Sequence, residues 1–311
     1  MRLLSHCSVS KNRYDRILSQ GDSPHGKRGS AFSLGIDFIC FFGELTARAS
    51  SPPIAYTDTG KGPALVFIHA FPTDKRLWVP QQTLASQFRV ISLDLWGFGQ
   101  SQSVSGEAVS MSDYADEVAL LLQHLRIKKA IVAGESMGGY VALAFLKKYP
   151  LKTAGLILSD TQSVADTVSM QEKREQAAQD ILQHGNKAFI EGFLPKALSA
   201  HASTALRTWL HHVLSAQSPA AMASALRGMA MREDATSLLA ETDVPVLFIT
   251  GEEDALIAPE QSRAMQAITK QSRLVVIEEA GHLANLEKPG EWNQAVIDFF
   301  TLATGEEGDK R

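Results

Sequence analysis

The chain has 311 residues, of which 45% are hydrophobic and 21% charged, which is enough apolar material for one large globular domain. A net charge of −4 excludes the basic surface that nucleic-acid-binding proteins carry. Its two cysteines, Cys7 and Cys40, lie near the start, which excludes a disulfide framework or a thiolate metal site in the rest of the chain.

The first 43 residues have no clear structural pattern. Their apolar run, residues 31–43, contains Asp37. It is also too short for a membrane span, which needs about 20 apolar residues. The run also starts too late for a signal peptide. We expect residues 1–43 to be a poorly ordered extension, residues 305–311 to be a tail, and the protein to be cytoplasmic without a membrane span.

From residue 44 onward, strand patterns alternate with helix patterns. Two short strands come first, and the later strands are continuous apolar runs typical of strands buried on both faces. Such alternation predicts an α/β fold with a mostly parallel central sheet flanked by helices. The predicted strands are 44–49, 54–58, 64–70, 89–95, 129–135, 154–160, 244–251 and 273–280; the predicted helices are 111–127, with a start signal at Ser112 and Asp113, 138–150, 258–269 and 289–303.

One interval, residues 163–239, contains no strand pattern. It predicts several amphipathic helices with breaks at Gly185, Pro195 and Pro219. An insertion between two strands of a parallel sheet lies at the carboxyl edge, where ligands bind. We therefore predict a helical cap over residues 163–239, inserted into a core of residues 44–162 and 240–304; the alternative is an extra packing layer without ligand contact.

Ser136 lies in the motif Gly134-Glu135-Ser136-Met137-Gly138, between a predicted strand and a predicted helix. Small residues permit a tight turn that raises the serine hydroxyl above the sheet edge. The N-terminus of the following helix directs free N–H groups to the same place. This pattern predicts a nucleophilic serine, which needs a base and an orienting acid.

His282 follows the last predicted strand and is the candidate base. Asp254 follows the strand before it and is the candidate acid, with Glu252 and Glu253 as neighbours that could take the role instead. The order Ser136, Asp254, His282 is the chain order of the strand–turn–helix serine hydrolases. A negatively charged transition-state oxygen also needs donors, and we expect the backbone N–H groups of Met137 and Phe71 to supply them.

These motifs resemble the α/β-hydrolases over residues 44–303. The segments FIHAFPTDKRLWVPQ, RVISLDLWGFGQS, GESMGG, GEEDALIAPE and GHLANLEKP are most similar to small esterases, enol-lactonases and cofactor-free haloperoxidases. The resemblance implies a Ser136–His282–Asp254 triad that needs no cofactor and no metal. Some members of that fold place the acid earlier in the chain, which makes Asp160 a further candidate.

We therefore expect a hydrolase that cleaves a small-molecule carboxylic ester or lactone through an acyl-enzyme. The same triad could serve a C–C bond hydrolase or a perhydrolase, and the fold could serve a silent small-molecule-binding protein. We expect no nucleic-acid partner, and the sequence leaves the oligomeric state open. Candidate substrate contacts are Trp96, Phe189, Phe193 and Met229, although the cap residues among them could instead form the cap's own core.

Overall fold

The computed structural model describes residues 54–304, with side chains described through residue 300. The predictions for the extension 1–43, the strand 44–49 and the tail 305–311 lie outside the described residues.

Seven strands form one sheet in the order β1-β3-β2-β4-β5-β6-β7. The edge strand β1 is antiparallel to β3, and the remaining neighbours are parallel. The carboxyl ends of the six parallel strands therefore lie at one edge of the sheet. The strands are β1 Tyr56–Thr59, β2 Ala64–Ile68, β3 Arg89–Leu93, β4 Ala130–Glu135, β5 Thr153–Ser159, β6 Val246–Gly251 and β7 Ser272–Ile277.

Helices follow or separate the strands, as the alternating pattern predicts. They are α1 Met111–His124, α2 Met137–Lys148, α3 Val168–His184, α4 Lys187–Ala197, α5 Thr204–Ser215, α6 Pro219–Ala230, α7 Thr236–Glu241, α8 Pro259–Ile268, α9 Ala284–Glu287 and α10 Pro289–Thr304. Short 3-10 helices span Lys75–Trp78, Pro80–Ser86 and Pro150–Lys152. Among residues 54–304, none of the helices has the length and apolar character that crossing a bilayer requires.

The sheet separates two apolar layers because successive side chains of a strand point to opposite faces. Val66 and Val132 pack into one layer together with residues of α1 and α2, such as Phe145. Phe67 packs into the other layer, where it lies 4.5 Å from Trp78 between ring centroids. Burial on both faces explains why these strands have continuous apolar sequences rather than alternating ones.

Helix α1 begins at Met111 as predicted, but the residue that caps it is not the predicted start signal. Ser110 is the N-cap, and its hydroxyl accepts from the Asp113 N–H at 3.1 Å, while the Asp113 carboxylate accepts from the Ser110 N–H at 3.0 Å. This capping box makes Asp113 the third helical residue rather than a start signal. The helix therefore begins at Met111, ahead of both Ser112 and Asp113.

The helical insertion lies between β5 and β6 and contains α3 to α7. Gly185 follows the end of α3, and Pro219 is the first residue of α6, as predicted. Pro195 is not a break, because α4 continues through it to Ala197. A proline lacks the backbone N–H that would donate a hydrogen bond within the helix. Because Pro195 lies two residues before the end of α4, only the last turn of the helix lacks this bond.

Candidate active site

Ser136 connects the end of β4 to the start of α2. Its backbone has φ 53° and ψ −112°, in the positive-φ range that non-glycine residues rarely adopt. The Ser136 N–H donates to the Ser159 carbonyl at 2.9 Å, which holds this turn against the end of β5. Thr161 Oγ1 donates to the Ser136 carbonyl at 2.8 Å. These bonds hold the serine in a strained turn at the carboxyl edge of the sheet.

Two glycines next to Ser136 are required by close backbone packing. A Cβ on Gly134 would lie 2.1 Å from the Gly138 carbonyl oxygen, and a Cβ on Gly138 would lie 2.1 Å from the Ile68 carbonyl oxygen. Real Cβ atoms do not approach carbonyl oxygens so closely. The first turn of α2 therefore packs directly on the end of β2 only because these positions lack side chains.

Ser136, His282 and Asp254 are joined by two hydrogen bonds. His282 Nε2 lies 2.8 Å from Ser136 Oγ, and His282 Nδ1 lies 2.8 Å from Asp254 Oδ2. A carboxylate can only accept, so Nδ1 carries the proton and Nε2 accepts from the serine hydroxyl. His282 and Asp254 are buried, and Ser136 is half-buried. The three side chains singled out from the sequence thus form one line that ends at the serine oxygen.

Asp254 is held by backbone donors on its far side. Its Oδ1 accepts from the N–H groups of Leu256 and Ile257 at 2.8 and 2.9 Å, which leaves Oδ2 for His282. The neighbouring acid Glu253 faces His201 at 3.2 Å. Of the acids in this loop, Asp254 is therefore the one that contacts His282.

The environment of His282 changes the pKa of its imidazole in two opposing ways. Burial lowers the pKa, but the charge of Asp254 and its hydrogen bond raise it, with a smaller contribution from Asp160, and the net effect is a raised pKa. The imidazolium is therefore stabilised next to Ser136. A base of this kind can hold a proton taken from a serine hydroxyl.

Two further carboxyl groups, Glu135 and Asp160, are completely buried beneath this line. Burial raises the pKa of Glu135 to about 8, and burial together with the charge of Glu135 raises the pKa of Asp160 well above its ordinary value. Asp160 Oδ1 accepts from the Gly251 N–H at 2.8 Å, at the end of β6. Asp160 thus connects the ends of β5 and β6 rather than bonding to His282.

The loop after β2 is held by its own hydrogen bonds. The Ala70 carbonyl accepts from the Thr73 N–H at 2.9 Å, from Thr73 Oγ1 at 2.8 Å and from His69 Nδ1 at 2.9 Å. His69 Nε2 accepts from the Leu95 N–H at 3.1 Å, which fixes the neutral tautomer of the ring. Burial lowers the pKa of His69, in agreement with that neutral state. The loop that contains Phe71 is therefore ordered by bonds on both sides.

Phe71 lies in the loop after β2, and Met137 directly follows Ser136 at the start of α2. Both side chains belong to the same buried apolar cluster, and the first turn of α2 packs on the end of β2, from which the Phe71 loop starts. Within residues 54–304, no acceptor is hydrogen-bonded to the backbone N–H of Phe71 or to that of Met137. The loop after β2 and the start of α2 thus each contain one backbone N–H without a partner among the described residues.

The candidate substrate contacts occupy different places. Phe189 packs edge-on against Phe71 with 5.6 Å between ring centroids, and Phe193 stacks on Phe189 at 5.8 Å. Met229 is buried in the insertion, where its sulfur accepts from Arg174 at 3.5 Å. Trp96 is half-buried in the loop after β3, and its indole N–H has no acceptor among the described residues. Of the four candidates, Phe189 on α4 contacts the Phe71 loop, and Phe193 on the same helix packs against Phe189.

Several polar residues that support the site are not evident from the sequence. Glu287 on α9 accepts from the Gly281 N–H at 2.8 Å, next to His282, and its other oxygen accepts from Ser199 Oγ at 2.6 Å. Gln217, in the insertion, donates to Asp74, in the loop after β2, at 2.8 Å. The bonds of Glu287 to Ser199 and of Gln217 to Asp74 join residues 88 and 143 positions apart, so the sequence gives no sign of them. Within residues 54–304, no group of three His, Cys, Asp or Glu side chains is placed to hold a metal ion.

Comparison with known proteins gives a consistent result. A family model described as the alpha/beta hydrolase fold matches residues 63–289. A thermophilic esterase from Thermogutta terrifontis, solved with malate bound, is 35% identical, with a TM-score of 0.79 over 81% of this chain and 94% of that one. The 3-oxoadipate enol-lactonase 1 of Acinetobacter baylyi is 28% identical over 76% of this chain and 88% of its own length. A second Acinetobacter baylyi enzyme, (E)-2-((N-methylformamido)methylene)succinate hydrolase, is 26% identical over 78% of this chain and 91% of its own.

The chain belongs to the α/β-hydrolase family. This family of hydrolases includes esterases and lactonases among the relatives of the chain.

Proposed function

We propose that this protein is a serine hydrolase that cleaves a carboxylic ester or lactone, with Ser136 as nucleophile, His282 as general base and Asp254 as orienting acid. The observation that carries the proposal is the line of two 2.8 Å hydrogen bonds from Asp254 through His282 to Ser136. Its esterase and enol-lactonase relatives support the ester or lactone as the substrate class.

The reaction proceeds in two halves. Ser136 Oγ attacks the carbonyl carbon while its proton passes to His282 Nε2, and the imidazolium is stabilised by Asp254. The tetrahedral intermediate collapses when His282 returns this proton to the departing alkoxide, which leaves an acyl group on Ser136. Water then attacks the acyl carbon, again losing a proton to His282, and the acid is released as Ser136 recovers its proton.

The backbone N–H groups of Phe71 and Met137 donate hydrogen bonds to the carbonyl oxygen and stabilise the negative charge that develops on it. Both donors are unpaired within the described part of the chain, and Met137 begins α2, so the partial positive charge of the helix N-terminus adds to its hydrogen bond. Donors that are already in position need no reorganisation when the charge develops. The strained turn at Ser136 supports this assignment, because it places the oxygen beside the start of α2.

The helical insertion between β5 and β6 acts as a cap over this site, as the sequence predicts. The contact between Phe71 and Phe189 supports this, because it connects the loop that carries one N–H donor to α4 of the insertion. Phe189 and Phe193 then present an apolar, aromatic surface to the acyl or alcohol part of the substrate. Met229 is buried in the same apolar cluster as Phe71 and Met137, and its sulfur accepts from Arg174.

The proposal is tested by labelling the full chain with a fluorophosphonate, which reacts with activated serines, beside Ser136→Ala. We expect labelling of the wild-type protein and none of the variant, together with turnover of p-nitrophenyl esters that the variant lacks. Ser218→Ala is the matched control, since Ser218 only caps α6 and should leave labelling intact. A folded wild-type protein that neither labels nor turns over esters would instead favour a silent binding protein.

A substrate series separates the proposed reaction from its alternatives. A C–C bond hydrolase would cleave a vinylogous diketone in preference to simple aryl esters and lactones. A perhydrolase would oxidise halide only when peroxide and a short carboxylic acid are both present. Hydrolysis of esters or lactones without either of these activities is the result that we expect.

A further inference from the structure

Gln217 lies between α5 and α6, and its side-chain amide is fully used. The side-chain N–H groups donate to Asp74 Oδ2 at 2.8 Å and to the Val213 carbonyl at 2.9 Å, while the amide oxygen accepts from the Gly99 N–H at 3.1 Å. A carboxylate only accepts and a backbone N–H only donates, so these partners fix the orientation of the amide. The residue is 3% exposed. A single buried glutamine of the insertion thus bonds two loops at the carboxyl edge of the sheet.

Asp74 transmits this contact to the loop that carries Phe71. Its carboxylate accepts from the Arg76 N–H at 3.0 Å and from the Arg76 guanidinium at 2.7 Å, and it caps the 3-10 helix Lys75–Trp78. The turn from Ala70 to Thr73 immediately precedes it and is closed by the Thr73 N–H. Phe71 lies inside this turn, three residues before Asp74. The Asp74 carboxylate therefore holds the backbone that directly follows the turn containing Phe71.

Removing the Gln217 amide would break both bonds between the insertion and these loops. Asp74 Oδ2 would keep only the Arg76 guanidinium as donor, and the Gly99 N–H would lose its acceptor. Because the Asp74 carboxylate is buried, the loss of one donor is costly, and the loop would shift to recover one. A small shift is sufficient to weaken a donor whose effect depends on a distance of about 2.7 to 3.1 Å to the oxyanion.

We propose that Gln217 is a positioning residue that sets the Phe71 N–H for the oxyanion through Asp74, so that docking of the helical insertion completes the hydrolytic site. This inference rests on the proposed function, in which the Phe71 N–H stabilises the oxyanion. It assigns to the insertion a part in the chemical step, beyond covering the substrate. Asn186 offers a matched comparison, because its side chain donates to the Gln217 carbonyl at 2.8 Å but, within residues 54–304, makes no hydrogen bond to the Asp74 loop.

The test compares Gln217→Leu and Asn186→Ala with the wild-type chain on an ester and on its thiono analogue, in which sulfur replaces the carbonyl oxygen. Sulfur accepts hydrogen bonds weakly. The kcat/KM for the ester divided by the kcat/KM for the thiono ester therefore measures hydrogen-bond donation to the oxyanion. We expect this ratio and kcat for the ester to fall about tenfold in Gln217→Leu, with KM little changed. Asn186→Ala should keep the wild-type ratio.

A wild-type ratio in a folded Gln217→Leu protein overturns the inference, because a merely structural role changes stability and not this ratio. If Gln217→Leu does not fold, Gln217→Glu replaces it; that variant keeps an acceptor for Gly99 and removes the donor to Asp74, and the same fall in ratio is expected. A wild-type chain that neither hydrolyses the ester nor labels with fluorophosphonate means that the proposed function is wrong, and the inference falls with it.

Discussion

The Gly281 N–H donates to Glu287 Oε1 over 2.8 Å and so fixes the backbone next to His282. The same carboxylate accepts from Ser199 in the helical insertion, and a Cβ on Gly281 would lie 2.5 Å from the Ser199 nitrogen. The loop that carries the proposed base is therefore held between α9 and the insertion. A half-buried carboxylate that receives several donors is a strong local anchor.

Replacing Glu287 by alanine should lower kcat for esters about tenfold. The Gly281 N–H loses its acceptor, so the backbone at His282 becomes more mobile and the imidazole is held less often at hydrogen-bond distance from Ser136. Steady-state kinetics of Glu287→Ala measure this effect. Glu291→Ala is the matched control, since Glu291 is exposed on α10 and should leave kcat unchanged. Equal kcat in both folded variants would show that the anchor does not influence the base.

Activity should rise with pH through the ionisation of His282. Only the neutral imidazole can take the Ser136 proton, and the charge of Asp254 outweighs the effect of burial and raises the pKa of His282. The acidic limb of kcat/KM should therefore have its midpoint above the ordinary histidine value of about 6.5. A pH series on a p-nitrophenyl ester measures it, with circular dichroism to verify folding at each pH. A midpoint below that value would contradict the assignment.

Folding stability should decrease as pH rises because of Glu135. Its pKa is raised to about 8 in the folded protein, so between the unfolded value of 4.5 and about 8 the folded state binds more protons. The free energy of unfolding then falls with increasing pH across that window, by up to about 1.4 kcal/mol per pH unit for one group. Glu135→Gln should reduce this slope in urea unfolding measured from pH 5 to pH 8.

Asp160 and His282 also titrate near Glu135. The free energy of unfolding is therefore measured at the same pH values for wild type and Glu135→Gln, and the difference between their slopes against pH reports on Glu135. An unchanged slope in Glu135→Gln would mean that Glu135 keeps an ordinary ionisation in the folded protein. Glu172→Gln, at an exposed position on α3, is the control for the loss of a carboxyl group at the surface.

Two alanine substitutions should have opposite effects on stability. A Cβ at position 138 meets the Ile68 carbonyl oxygen at 2.1 Å, so Gly138→Ala should lower the free energy of unfolding by roughly 1 to 3 kcal/mol. A Cβ at position 192, inside α4, meets nothing within 4 Å, so Gly192→Ala should raise it by about 0.5 to 1 kcal/mol. Urea unfolding of both variants measures this, and a neutral Gly138→Ala would contradict the packing of α2 on β2.

Much of the fold could be predicted because its signals are local. The buried strands β2 to β6 appear as continuous apolar runs, and the glycines around Ser136 mark a tight strand-to-helix turn. Element boundaries were less accurate where one residue can take two positions in a motif. Asp113 could begin a helix or close a capping box, and Pro195 could end a helix or lie in its last turn.

The sequence by itself determined the alternation of strands and helices and the chain order of Ser136, Asp254 and His282, because hydrophobic period and turn chemistry depend on neighbouring residues. It left Glu252, Glu253 and Asp160 as rival acids. Only the tertiary structure decided that Asp254 faces His282 and that Gln217 bonds Asp74. Those two partners are 143 residues apart in the chain, and a contact across that distance depends on how the insertion docks on the sheet.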